Sequence, residues 1–68
     1  MQMLAILSPA EEGGFVALNP ETGTTTQGET IDEALANLRE AVELLLEEFP
    51  IRRTGSPLVT TVDVADHA

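Results

Sequence analysis

The sequence contains no cysteine, tryptophan or tyrosine, and only two of its 68 residues are phenylalanine. Without cysteine, no disulfide braces the fold, and the usual cysteine–histidine sites for structural zinc are excluded. A domain of this size buries only about 60% of the surface that its unfolded chain exposes, so a single core is marginal. Because small domains without such braces often associate, we expect a homodimer or homotetramer.

Positive charge is also scarce, since three basic residues oppose twelve acidic ones and the formal net charge is −9. Nucleic acids and anionic membranes both select a basic face, so we expect neither as a direct partner. A basic protein is the partner that complementary potential favours. Solubility alone explains an acidic surface equally well, so composition leaves both interpretations open.

Long hydrophobic runs are absent, and no stretch approaches the roughly 20 apolar residues that a membrane helix needs. The run Met3 to Leu7 has no basic flank and is too short for a signal peptide. We therefore expect a cytoplasmic protein in which residues 1–68 form a single domain.

The stretch Thr30 to Phe49 dominates the chain and predicts a helix. Thr30 and Glu33 form a capping-box pattern, in which each side chain reaches the backbone amide of the other residue. Pro50 marks the end of the stretch. At 100° per residue, one apolar stripe is predicted to face the core. Its members are Ile31, Ala34, Leu35, Leu38, Val42, Leu45 and Phe49, flanked by Ala41 and Leu46.

Four short segments predict strands: Met3 to Leu7, Phe15 to Leu18, Thr24 to Gln27 and Leu58 to Val64. The resulting fold class is α+β, a two-layer β-β-β-α-β domain with one helix packed on one face. The mixed sheet has three antiparallel strands and a fourth reached by a right-handed crossover. An uncovered face or an open edge of this sheet is a natural dimer surface.

The residues that carry most enzyme chemistry do not form a site. The lone His67 lies next to the C-terminus, and Asp63 and Asp66 are spaced to point apart rather than to share a metal ion with it. No serine lies in a nucleophile elbow, and the glycines do not match a phosphate-binding loop. We expect no catalytic residue, no cofactor and no metal ion.

The outer face of the predicted helix is the one candidate for a binding site. Leu44 lies near the middle of this face, ringed by Glu40, Glu47 and Glu48, and Glu43 belongs to the same acidic face. Acidic residues on a helix are commonly just a solvated face, and a single exposed leucine is normal. An apolar centre inside a charged rim also fits a contact with a basic partner or with a second copy.

The segments Glu12 to Ala17, Gly23 and Thr26 to Ala41 resemble the HicB-type antitoxin family. The most specific part reads Thr-Gln-Gly-acid-Thr, followed by acid-Glu-Ala-Leu-x-Asn-x-x-Glu-Ala. The chain departs from the family at Asn19 to Thr24, where the usual Pro-acid-Leu-Pro-Gly-Cys turn is absent. We also expect no counterpart of the family's C-terminal DNA-binding domain, so the resemblance does not imply autoregulation on DNA.

The resemblance implies a partial ribonuclease-H-like fold in β-β-β-α-β order, without that enzyme's active site. It implies a type II antitoxin function, in which the domain binds a small basic mRNA-cleaving toxin and covers its active site. We assign Glu40, Glu43, Leu44 and Glu47 to that contact from their own pattern. The alternative is a stand-alone homo-oligomeric structural or regulatory module without a toxin.

Overall fold

The computed structural model describes residues 1–52 and 54–66, so the interpretation of His67 lies outside the described residues. The chain forms three strands and one helix in the order β-β-β-α, which is an α+β fold. The elements are β1 (Ile6–Pro9), β2 (Phe15–Asn19), β3 (Thr24–Gly28) and α1 (Ile31–Glu48). The predicted order of these four elements is confirmed.

The strands form one antiparallel sheet in the order β1-β2-β3. Leu7 lies opposite Ala17, and Ala17 lies opposite Thr26, so these three side chains share one face of the sheet. That face meets α1, because Ala17 is fully buried and the Thr26 hydroxyl donates to the Ala34 carbonyl at 3.0 Å. On the other face of the sheet, Thr25 and Gln27 are exposed.

Helix α1 begins with the predicted cap. The Thr30 hydroxyl accepts from the Glu33 amide at 3.1 Å, while the Glu33 carboxylate accepts from the Glu29 amide at 3.4 Å. The second half of the predicted box is therefore wrong by one residue, since the carboxylate reaches Glu29 rather than Thr30. The helix ends at Glu48, where the Phe49 amide donates to the Leu45 carbonyl at 2.8 Å.

Gly28 allows α1 to lie directly against the end of β3. A Cβ atom at this position would collide with the backbone nitrogen of Ala34. The Asn37 side chain also donates to the Gln27 carbonyl at 2.7 Å, which covers part of the outer edge of β3. The helix is therefore fixed to β3 by close contact and by hydrogen bonds.

The core consists of Ala17, Ala34, Leu38 and Val42, against which partly buried apolar side chains pack. The predicted stripe is thus correct at the centre of α1 but wrong at its ends. Ile31 is 44% exposed and Phe49 is 64% exposed. The reason is length: 18 helical residues span about 27 Å, whereas five-residue strands span about 17 Å.

The first strand lies later in the chain than predicted, at Ile6–Pro9 rather than Met3 to Leu7, and it is largely exposed. The backbone of Leu4 is engaged by side chains instead of by a strand. Its amide donates to the Glu21 carboxylate at 3.0 Å, and its carbonyl accepts from the Asn19 side chain at 2.7 Å.

The structure does not show the predicted fourth strand at Leu58 to Val64. This segment is described, yet it has no regular secondary structure. Leu58 is 91% exposed, and Val62 and Val64 are each 79% exposed. Its alternating pattern therefore finds no apolar surface to face within its own chain.

Candidate protein-binding face

Four exposed residues on α1, Glu40, Glu43, Leu44 and Glu47, form what we call the acidic face. At 100° per residue they fall within an arc of about 100°, on the side away from the sheet. Leu44 is 59% exposed and lies at one edge of this arc, with Glu48 on its other side. The structure therefore brings together all four residues that the sequence pattern selects.

The acidic face has one basic neighbour on α1, because Arg39 lies four residues before Glu43 and lines the same cleft. Within residues 1–52 and 54–66, no hydrogen bond or ion pair engages Glu40, Glu43 or Glu47. Glu43 and Glu47 are four residues apart and Glu40 and Glu43 are three apart, so like charges adjoin on the helix surface. Each such pair destabilises a helix by about 0.2–0.5 kcal/mol.

Glu47 carries a second cost because it lies in the last turn of α1, which contains no basic residue. The helix macrodipole places partial negative charge at this end, and an anion there is unfavourable by about 0.3–1 kcal/mol. Asp32 and Glu33, in the first turn, have the opposite and stabilising placement. Departures from these local rules are expected at functional or strained sites, so the acidic face is the candidate site.

The structure contains a buried hydrogen-bond network around Asn19 that was not predicted from the sequence. Asn19 is only 1% exposed, and its side-chain oxygen accepts from the Thr22 amide at 2.9 Å and the Thr22 hydroxyl at 2.7 Å. Its amide group holds Leu4, as described above. The signal is the sequence Asn-Pro-Glu-Thr-Gly, because asparagine side chains commonly bond to backbone two or three residues on. The network fixes the N-terminal segment beside α1.

A cleft of about 330 Å³ lies between this N-terminal segment and α1. It forms because α1 lies over β3 and β2 and hardly reaches β1. Most of its lining is apolar, with Arg39 and Glu43 as its charged residues. The apolar side chains include Met3, Leu4, Leu35, Val42 and Leu46.

Two further observations bound the chemistry of these surfaces. In the part of the chain that the structure describes, no group of three or more histidine, cysteine, aspartate or glutamate side chains is placed to hold a metal ion. No helix among the same residues combines the length and the apolar character needed to cross a membrane.

Residues 5–61 match the model of a family of unknown function, DUF7387. Two UPF0150 proteins of Synechocystis sp. (strain ATCC 27184 / PCC 6803 / Kazusa) are similar to this chain. The protein ssl0738 is 44% identical over 48 residues, which is 69% of this chain and 67% of the relative. The protein ssr1258 is 35% identical over 55 residues, which is 79% of this chain and 80% of the relative. No solved structure matches the chain significantly. Because the family model spans most of the sequence, the chain belongs to DUF7387.

Proposed function

We propose that this chain is a non-enzymatic, antitoxin-like binding protein of the cytoplasm. It neutralises a small basic mRNA-cleaving toxin by docking against it and covering its active site. The single observation that carries the proposal is the acidic face, where the exposed Leu44 lies beside three glutamates whose carboxylates have no hydrogen-bond or ion-pair partner among the described residues. Catalysis by this chain plays no part in the proposal.

The energetics of the acidic face favour a cationic partner. Arginine or lysine side chains of the partner would offset the repulsion between Glu43 and Glu47 and the unfavourable field at the end of α1. Leu44 would become the apolar centre of the contact, inside a polar rim. Charge pairs at such a rim mainly raise the association rate, so binding should weaken as salt concentration rises.

The resemblance to HicB-type antitoxins supports the same proposal from the sequence side. The motif Thr26 to Ala41 spans the junction of β3 and α1 and includes the close approach at Gly28. It also includes two bonds across that junction, from Thr26 to the Ala34 carbonyl and from Asn37 to the Gln27 carbonyl. The motif thus builds the platform that presents the acidic face.

The proposal is tested by recovering the tagged chain from its native host at moderate salt. We expect a small basic protein to co-purify, and its RNA cleavage to stop when more of this chain is added. Replacing both Glu40 and Glu43 with lysine should abolish the co-purification. Replacing both Glu11 and Glu12, in the exposed loop between β1 and β2, changes the net charge equally and should leave it intact. Recovery of the chain alone contradicts the antitoxin function.

A second candidate function is a self-assembling structural or regulatory module without a toxin. The observation that favours it is the exposed apolar segment Leu58 to Val64. In this proposal the segment is the fourth strand of a two-layer β-β-β-α-β domain, added at the open edge of β1. Self-association without any basic partner in the native host would favour this function over the first.

A further inference from the structure

The segment Leu58 to Val64, which we call the arm, contains the densest group of exposed apolar side chains in the described chain. Leu58, Val59, Val62 and Val64 are each between 61% and 91% exposed. Side chains alternate along an extended chain, so three of these four share one face. An extended segment with such a pattern is typical of a strand that lacks its sheet.

The radius of gyration agrees with an arm that leaves the body of the domain. It is 14.0 Å, whereas a compact domain of this length has a radius of about 11 Å. The departure begins next to the N-terminal segment, because Ser56 and Pro57 line a small cleft with Met3 and Leu4. Beyond Pro57 the side chains face solvent.

The complementary surface lies on the same molecule, at β1 and the cleft beside it. The outer edge of β1 has no strand partner in the described chain, and Pro9 at its end is typical of an edge strand. The outer edge of β3, in contrast, is partly covered by Asn37. Apolar side chains of Leu35, Val42 and Leu46 line the cleft between α1 and the N-terminal segment that leads into β1.

We propose that the arm of one copy lies along β1 of a second copy, with Leu58, Val62 and Val64 in the cleft between α1 and the N-terminal segment. The exchange is reciprocal, so one twofold interface covers both arms and both clefts. This inference rests on the second of the two proposed functions, namely self-assembly.

The low local charge favours a second copy over a basic protein as the occupant. The arm carries one charged residue, Asp63, and β1 carries none, so two chains of charge −9 meet here with little local repulsion. Arg39 and Glu43, the charged residues of the cleft, have opposite signs. Contact through the acidic face would instead oppose two sets of glutamates.

The first experiment is sedimentation equilibrium of the full chain at micromolar concentration. The native chain should be a dimer, and Val62→Asp should raise the dimer dissociation constant about tenfold or more. Thr61→Asp introduces the same charge on the opposite face of the arm and should change the constant by no more than about threefold. Equal effects of the two substitutions would overturn the arrangement.

The second experiment distinguishes exchange of the arm between two chains from pairing of the arm within one chain. It relies on the absence of native cysteine. Chains carrying Ser8→Cys are mixed with differently sized, tagged chains carrying Thr61→Cys, and a short bis-maleimide is added. Cross-linking between the two kinds of chain is expected, while Ala36→Cys in place of Ser8→Cys should give none. A double variant that cross-links only within its own chain would overturn the exchange.

The two proposals fail separately. A native chain that sediments as a monomer overturns the inference about the arm and leaves binding at the acidic face unaffected. The opposite result is a native dimer whose arms cross-link between chains, with no basic partner recovered from the host. It supports the inference about the arm and rejects the antitoxin function.

Discussion

Replacing Glu47 with lysine should make the free protein more stable while it damages the proposed binding face. The substitution removes the repulsion between Glu43 and Glu47 and creates an attractive pair in the favourable order, with glutamate four residues before lysine. It also places a cation in a last turn that contains no basic residue. Both changes favour the folded state.

The magnitude follows from these two contributions. The exchange of a repulsive pair for an attractive one is worth about 0.5 kcal/mol, and the better placement at the helix end adds a similar amount at an exposed position. The free energy of unfolding should therefore rise by about 1 kcal/mol. For a domain of this size, that corresponds to an increase in melting temperature of about 4–8 °C.

Asp32→Lys is the matched control, because it makes the same change in net charge at the opposite end of α1. Asp32 lies in the first turn, where an anion is favourable. Its replacement should lower the free energy of unfolding by roughly 0.5–1 kcal/mol. The comparison removes any general effect of reducing the net charge, since that effect is common to both variants.

Urea unfolding followed by circular dichroism, at one fixed protein concentration, measures both variants. At low salt we expect opposite shifts of the unfolding midpoint with an unchanged slope. Both shifts should shrink at about 1 M salt, where the Debye length is near 3 Å. A destabilised Glu47→Lys variant, or shifts of the same sign in both variants, would refute the electrostatic account of the helix.

Four further substitutions, one of them a control, test the fold. Gly28→Ala should lower the free energy of unfolding by about 1–3 kcal/mol, because the added methyl group meets the backbone of Ala34. Gly55→Ala is the control: open space surrounds Gly55, so the change should stay within about 0.5 kcal/mol. The denaturant midpoints of the two variants are compared. Leu38→Ala, at a core position that is 4% exposed, should cost about 2–5 kcal/mol in the same assay. Thr30→Ala should cost about 0.5–2 kcal/mol through loss of the helix cap, and hydrogen exchange should show faster opening of the first turn.

Helix α1 was predictable because its signals are local. The cap at Thr30, the apolar stripe and Pro50 all lie within or beside the element itself. The exposure of Ile31 and Phe49 was not predictable in the same way, because it depends on how far the sheet extends beneath the helix. The acidic face followed from the helical period, yet its cost became visible only when the last turn was located.

The strands show where local patterns are insufficient. β1 begins later than the local pattern predicts because the backbone of Leu4 is hydrogen-bonded to the side chains of Asn19 and Glu21. Both residues are more than ten positions away in the sequence. The alternation in Leu58 to Val64 indicates that the segment needs an apolar surface, but not which chain provides it. Both outcomes depend on contacts between distant parts of the molecule, which a local pattern does not encode.

The central claim is that the acidic face binds a basic partner, and titration of that co-purified partner tests it most directly. The native chain, Glu47→Lys and Asp32→Lys are titrated side by side at moderate salt. We predict that Glu47→Lys raises the dissociation constant about tenfold or more although it stabilises the free chain, while Asp32→Lys stays within about twofold of the native value. Equal affinity of the native and Glu47→Lys chains would contradict the account.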